Sequence, residues 1–359
     1  MRRLTSICLV LVVLFSTFRL SAETKVVGYI PVYKDLVTIA DNVSWDKVTH
    51  INLSFLNPDS TGQFRQAGHF SCMPKEQNGQ PVQSADIRYV IEQAHQYKVK
   101  VLLSLGGGVL PACTGDWRRL LQPDSRDSIV TQLVALVDEF NLDGLDVDLE
   151  GVLLTHIDQD GNYTPFIRQL SDALVQQQKL LTSATASYEG GMIPISSIGY
   201  FDFVNIMSYD SIGPSWGKSG SEHATFAQSQ KDIQLWKARG LTQQQLVLGV
   251  PFYGYGFGRF KANYSFRDLL TEFGQQVINQ DVIGQACAQC DYITFNSLAT
   301  IQAKTRLALE QGSGVMIWEL SHDAQGEYSL LNGIQQQLIP QTSNTSERLI
   351  STATESTTF

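Results

Sequence analysis

Long apolar runs are nearly absent from the 359 residues, and the one at positions 7–15 is too short to cross a bilayer. It follows Met1-Arg2-Arg3 and precedes the small pair Ser21-Ala22, the pattern of a secretory signal peptide over residues 1–22. The expected destination is the periplasm or the medium. Basic charge is short as well, with 26 Lys and Arg against 35 Asp and Glu and a formal net charge of −9. Loss of a leader carrying Arg2, Arg3 and Arg19 and no acid would lower this by three, to −12. Such a surface argues against nucleic acid and anionic membranes as partners and suits a neutral substrate. Cysteine is scarce: five residues, of which Cys8 lies in the leader. The remaining Cys72, Cys113, Cys287 and Cys290 are an even set for an oxidising compartment. Cys287 and Cys290 have the C-x-x-C spacing, but no second pair or histidine partner completes a zinc site, so no metal is expected. Three disulfide pairings are open, and Cys72–Cys113 with Cys287–Cys290 is the arrangement expected. Nucleotide fingerprints are missing too. Gly106-Gly107-Gly108 closes an apolar run, but no G-x-x-x-x-G-K-S/T or G-x-G-x-x-G opens a helix there and Pro111 interrupts the region. A close backbone approach or a flexible turn is the expected use of these glycines.

What remains is an ordinary globular composition, 43% hydrophobic and 17% charged, long enough for a large core. Short apolar runs at 25–30, 50–55, 100–105, 142–151, 181–186, 203–207, 246–250 and 314–318 read as strands. Between them lie helical patterns at 84–97, 125–140, 163–179, 226–238 and 296–310, with a last one at 330–338. Ser84 is placed to cap the first of these. Asp158-Gln159-Asp160-Gly161 lacks the rest of a calcium loop and reads as a turn. Eight short strands alternating with helices predict a single (β/α)8 barrel domain over 23–339, in preference to an open doubly wound sheet. The Ser/Thr-rich stretch 340–359 is expected to be a disordered tail.

The fourth strand is unusual. In Gly144-Leu145-Asp146-Val147-Asp148-Leu149-Glu150 acids alternate with apolar residues. A strand has a side-chain period of two, so Leu145, Val147 and Leu149 face one way and three carboxylates the other. The preceding segment is amphipathic, with Ile129, Leu133, Leu136, Val137 and Phe140 on one stripe, which places the acids on a buried parallel strand. Crowded carboxylates raise one another's pKa, which costs stability unless a site uses the protons. In such a barrel the active site lies at the C-terminal strand ends, and those ends here carry Tyr29, Phe55, Ser104, Tyr209, Asp210, Phe252, Tyr253, Trp318 and Glu319 beside the acids. Aromatic faces stack on the apolar faces of sugar rings, and carboxylates serve acid–base steps.

Asp143-Gly144-Leu145-Asp146-Val147-Asp148-Leu149-Glu150 resembles the D-G-x-D-x-D-x-E signature of glycoside hydrolase family 18, the chitinases and endo-β-N-acetylglucosaminidases. Ser104-Leu105-Gly106-Gly107, Met207-Ser208-Tyr209-Asp210, Gly249-Val250-Pro251-Phe252-Tyr253-Gly254 and Met316-Ile317-Trp318-Glu319 resemble further motifs of that family, in its order. The resemblance implies a secreted, bacterial-type, endo-acting chitinase that cleaves β-1,4 N-acetylglucosamine linkages with the substrate's own acetamide as nucleophile. It implies Glu150 as general acid and then base, Asp148 as partner of the acetamide N–H, and Asp146 as sharing a proton with Asp148, with Ser104 bonded into that pair. Tyr209 would bind the acetamide oxygen, and Asp210 would place the sugar and tune Glu150. Trp318 would form the floor, with Tyr29, Phe55, Gly107, Met207, Trp216 and Tyr253 as further substrate contacts. No cofactor is implied, and the partner is a carbohydrate met by a monomer. The alternatives are an endoglycosidase acting on N-glycan cores or wall glycans and, from another class, an inactive chitin-binding lectin. Such lectins lose the terminal acid of the signature, which is present here as Glu150. Many members insert a small α+β domain between the seventh and eighth strands. The interval from Gly254 to Gly314 leaves little room for one, so a shallow, open cleft without a full insertion domain is expected.

Overall fold

The computed structural model describes residues 23–73 and 82–338; the expected signal peptide and tail lie outside the described residues. Eight parallel strands close into a barrel. They are Lys25–Pro31, His50–Leu56, Lys100–Gly106, Gly144–Asp148, Leu180–Thr185, Phe203–Ile206, Leu246–Pro251 and Gly314–Trp318, arranged around the barrel in sequence order. The last strand closes on the first, with Gly314 opposite Lys25. This is the (β/α)8 barrel that the strand–helix alternation predicts.

Two apolar layers hold it together. The larger lies between strands and helices and takes Leu145, Val147 and Leu149 from one side of the acid strand. The helix Arg126–Phe140 meets it with Ile129, Val130, Leu133, Leu136, Val137 and Phe140, all buried. Each such side chain contributes about 1.5–3 kcal/mol of transfer free energy, before the entropy of ordering it. Asn141 ends that helix in the left-handed region, φ 53°, a conformation asparagine tolerates, and the chain turns at once into the fourth strand. The smaller layer fills the barrel itself with Val27, Tyr29, Phe203, Val247 and Met316. Asp143 stands apart from the other acids of its motif. It accepts from the Val101 backbone N–H and pairs with His95 Nε2, both at 2.8 Å.

Three local readings change. Residues 151–159 form a helix, Gly151–Gln159, so Asp158 is helical and only Asp160-Gly161 turn. The run of period-two alternation extends to Glu150 and hides the helix start behind it. Ser84 does not cap the helix Ser84–Gln96, whose N-cap is Gln83. The Ser84 hydroxyl instead accepts from Arg65 at 2.8 Å. The interval between the seventh and eighth strands also holds more than its length suggested. Tyr253–Phe257, Asn263–Ser265, Val282–Gly284 and Tyr292–Thr294 form a four-stranded antiparallel sheet beside the helix Phe266–Phe273. One strand of five residues, three of three and one helix make a compact wall, smaller than a full domain. The disulfides are Cys72–Cys113, closing the loop beyond the second strand, and Cys287–Cys290, within the wall segment.

Gly144 opens the acid strand hard against the fifth, and a Cβ there would lie 2.1 Å from the Leu180 carbonyl oxygen. Backbone cannot yield as a side-chain end can. Gly144→Ala should therefore lower unfolding free energy by roughly 2–3 kcal/mol. Urea denaturation checks this, and an unchanged midpoint would show that the strand does not sit where described.

Candidate active site

The strand period carries the side chains of Asp146 and Asp148 into the barrel, and Glu150 continues the extended chain at φ −120°, ψ 161° before the helix begins. Asp146 is fully buried, and four side chains from four other strands donate to it. Its partners are Tyr29 Oη at 2.6 Å, Ser104 Oγ at 2.7 Å, Thr182 Oγ1 at 2.6 Å and Asn205 Nδ2 at 3.5 Å. The register makes this possible, since Ser104 and Thr182 stand directly opposite Asp146 on the two neighbouring strands. Burial pushes the Asp146 pKa above the ordinary carboxylate value, and these donors oppose the rise.

Asp148 has no such set. It is buried, its Oδ1 lacks a partner among the described residues, and its hydrogen bond goes to Glu150. Burial first, then the charges of Glu150 and Asp146, push its pKa well above the carboxylate range. Glu150 is partly accessible at the barrel mouth. Burial, followed by the negative charge of Asp210, raises it to about 7, against the bond from Asp148. The hydrogen bond of Asp148 runs to Glu150, and Asp146, expected to share a proton with Asp148, raises the Asp148 pKa through its charge.

The acids open into a cavity of about 510 Å³ lined by Tyr29, Phe55, Asp148, Glu150, Met207, Tyr209, Asp210 and Trp318 among others. Trp318 is its aromatic floor. Phe55 stacks on Trp318 with centroids 5.6 Å apart and planes at 19°, and Tyr29 tilts against it at 5.4 Å. The Tyr209 hydroxyl has only the sulfur of Met316, 3.8 Å away, as partner among the described residues, so it is available to a ligand. Asp210, in the left-handed region at φ 61°, accepts from the Tyr253 hydroxyl.

Ser104 bonds Asp146, as expected of it, and three expected substrate contacts sit elsewhere. Gly107 packs under Phe55, where a Cβ would come within 2.6 Å of the ring. Tyr253 holds Asp210 and does not line the cavity. Trp216 lies at the rim, half-exposed, with its Nε1 donating to the Asp210 carbonyl at 3.1 Å and its ring edge-on to Tyr255. Sequence reasoning missed Tyr33, Gly108, Val109, Leu110 and Pro111, which also line the cavity. A tyrosine two residues beyond Pro31 and a short apolar run after the triple glycine were the available signals. It also missed Thr182 and Asn205, single polar residues inside apolar strands. Among the described residues no group of His, Cys, Asp and Glu could hold a metal.

A family model described as glycosyl hydrolases family 18 matches residues 25–323. The chain resembles the crystal structure of the GH18 chitinase ChiB from the chitin utilization locus of Flavobacterium johnsoniae. That likeness has 30% identity, a TM-score of 0.74, and covers 88% of this chain and 94% of the other. A chitinase from Bacteroides thetaiotaomicron is similar at 25% identity and TM-score 0.72, over 89% and 97% of the two chains. Among curated proteins, a class V chitinase of Arabidopsis thaliana is 26% identical over 273 residues, 64% of this chain and 71% of that protein.

The pair has a consequence for stability. Glu150 holds its proton more tightly folded, with a pKa of about 7, than at its ordinary 4.5. Its contribution is thus fully present below about pH 4.5 and lost as pH rises through about 7. Glu150→Gln removes that loss, so its melting temperature should gain on the parent chain between pH 4 and pH 8. Scans at both values test this; a difference independent of pH would refute the raised proton affinity.

Proposed function

The chain belongs to glycosyl hydrolase family 18, and from that premise we propose that it hydrolyses the β-1,4 bonds of chitin from within the polymer, with retention at the cleaved carbon. The observation that carries this reading is the Asp148–Glu150 pair, poised at the mouth of a cavity floored by Trp318. An acid with a pKa of about 7 is protonated at mildly acidic pH and deprotonates at little cost, as the two halves of the reaction require.

In the proposed sequence Glu150 protonates the glycosidic oxygen. The acetamide oxygen of the sugar over Trp318 attacks its own anomeric carbon, the bond to the leaving sugar breaks, and a cyclic oxazolinium ion forms. Asp148 takes the acetamide N–H, and its carboxylate faces the positive charge. Tyr209 donates to the acetamide oxygen and orients it. Water then attacks the anomeric carbon, the bond from that carbon to the acetamide oxygen breaks and restores the acetamide, and Glu150 takes the proton of the water, which returns the acid to its starting state. Asp146, tied by its donors, keeps its place throughout and keeps negative charge behind Asp148. The wall beside the seventh strand supports binding along a chain more than a shallow surface would. The leader at residues 1–22 would deliver the enzyme to the periplasm or medium, where such a polymer is met.

Glu150→Gln should fold and lose at least about 10²–10⁴-fold in turnover. For the parent chain, kcat/KM should decline as pH rises through about 7, the value at which Glu150 loses its proton. Substantial turnover by Glu150→Gln, or a flat profile to pH 9, would remove Glu150 from the proton-transfer role. Fully deacetylated chitosan should resist cleavage because it lacks the nucleophile. Mass spectrometry of products from chitohexaose, run beside a high-mannose glycoprotein, tests the substrate. Internal cleavage of the hexamer supports the proposal, release of glycan alone favours the endoglycosidase, and binding without products favours the lectin.

A further inference from the structure

Asp210 lines the same cavity as Glu150 from a loop and is nearly two-fifths exposed, yet its carboxylate is fixed. One partner is the Tyr253 hydroxyl. Tyr255 is a second, and the third is His223, whose Nδ1 lies 3.4 Å from Asp210 Oδ1 and whose side chain is fully buried. The histidine is itself immobilised from three directions. Its backbone N–H donates to Thr294 Oγ1 of the wall at 3.2 Å. Its carbonyl accepts the Ser211 N–H at 3.1 Å and the Ser211 hydroxyl at 3.0 Å. Its ring packs on Tyr253 and Tyr255 with centroids 5.3 and 5.1 Å away. One residue on, the Ala224 carbonyl is pinned by Asn296 Nδ2 at 2.7 Å and by the buried Lys304 Nζ at 2.9 Å.

We propose that His223 is a positioning residue for the reaction: with Tyr253 it holds the Asp210 carboxylate in the place from which its negative charge acts on Glu150. The inference rests on the reading of Glu150 as proton donor. Burial keeps the imidazole neutral, against the pull of Asp210. A neutral ring has one N–H, and an anionic acceptor at Nδ1 fixes it there. That leaves Nε2, which has no partner among the described residues, as an unfilled acceptor, a smaller cost than a buried orphan donor. Without His223, Asp210 keeps the tyrosines but loses its buried anchor and can turn toward water. The groups facing this network are few. Asp210 meets Tyr209, Tyr253, Tyr255, His223 and Glu150. Glu150 meets Asp148, Asp210, Tyr188 and Tyr209. His223 meets Lys304 besides Asp210 and Tyr253. Asp210 lines the same cavity as Glu150, and its charge is one cause of the raised proton affinity of Glu150, so its displacement lowers that affinity.

The test is His223→Phe, which keeps a flat ring against the two tyrosines and removes the N–H. Its alkaline limb of kcat/KM on chitooligosaccharides should move to lower pH by roughly 0.5–1 unit, with roughly a two- to sixfold loss at pH 7. Asp210→Asn should show the same displacement, and the double variant no more than either. His223→Gln, which retains an N–H, should return the limb toward the parent. The titration of Glu150 is also read without turnover, by carbon NMR of labelled glutamate side chains assigned with Glu150→Gln. An inactive parent chain would therefore sink the substrate reading while the NMR shift still decides the role of His223. A Glu150 titration unchanged in folded His223→Phe, or additive displacement in the double variant, overturns the proposal. His223→Leu serves in the same way if the phenylalanine variant does not fold.

Discussion

Asp146 can occupy the centre of the barrel because four other strands aim donors at it. A lone carboxylate there would be costly by many kcal/mol, whereas one that accepts from Tyr29, Ser104, Thr182 and Asn205 is held as part of the framework. This bond set ties the first, third, fifth and sixth strands to the fourth. It also settles what the next acids can be. Asp148 must face the same way two residues later, beside a buried negative charge and with no donors of its own, so its affinity for a proton is raised. Its hydrogen-bonding neighbour is Glu150, which lies nearest to solvent. Equal spacing along a strand thus becomes a gradient of unequal acids.

Much of this arrangement could be read from the residues. Period-two alternation put the acids on one face, and the 125–140 stripe placed that face inside an α/β fold. The parts that escaped are those with little periodicity to show. The helix Gly151–Gln159 starts directly after the alternating run, at a glycine with φ 54°, and no capping side chain marks it. Three of the four wall strands have only three residues, and Gly254 and Gly256 interrupt the longest. Thr182 and Asn205 escaped because a single polar residue in an apolar strand shows its purpose only when the register puts a carboxylate beside it.

The wall has a meaning for the chemistry beyond shaping the mouth. Tyr253 leaves the seventh barrel strand and immediately bonds Asp210, while Thr294, on the neighbouring strand of the same sheet, holds the backbone of His223. The sheet therefore braces the acidic group that comes from the loop after the sixth strand. Asp146 and Asp148 need no such support, since the barrel ladder fixes them. A loop carboxylate held at φ 61° does, because nothing in its own backbone conformation is strongly preferred.

The triple glycine follows from the same crowding. A Cβ at Gly106 would meet the Asp148 carbonyl oxygen at 2.6 Å, one at Gly107 the Phe55 ring at 2.6 Å, and one at Gly108 the Glu150 Oε1 at 3.0 Å. Gly106 and Gly107 also have φ of 93° and 94°, which side chains resist. Bare backbone thus lies against the acid strand from the third strand's end, and Gly108, itself exposed, leaves Glu150 open to the cavity. An acid seated on a buried strand and open at its tip can have a raised pKa and still reach a ligand, two properties that burial alone sets against each other.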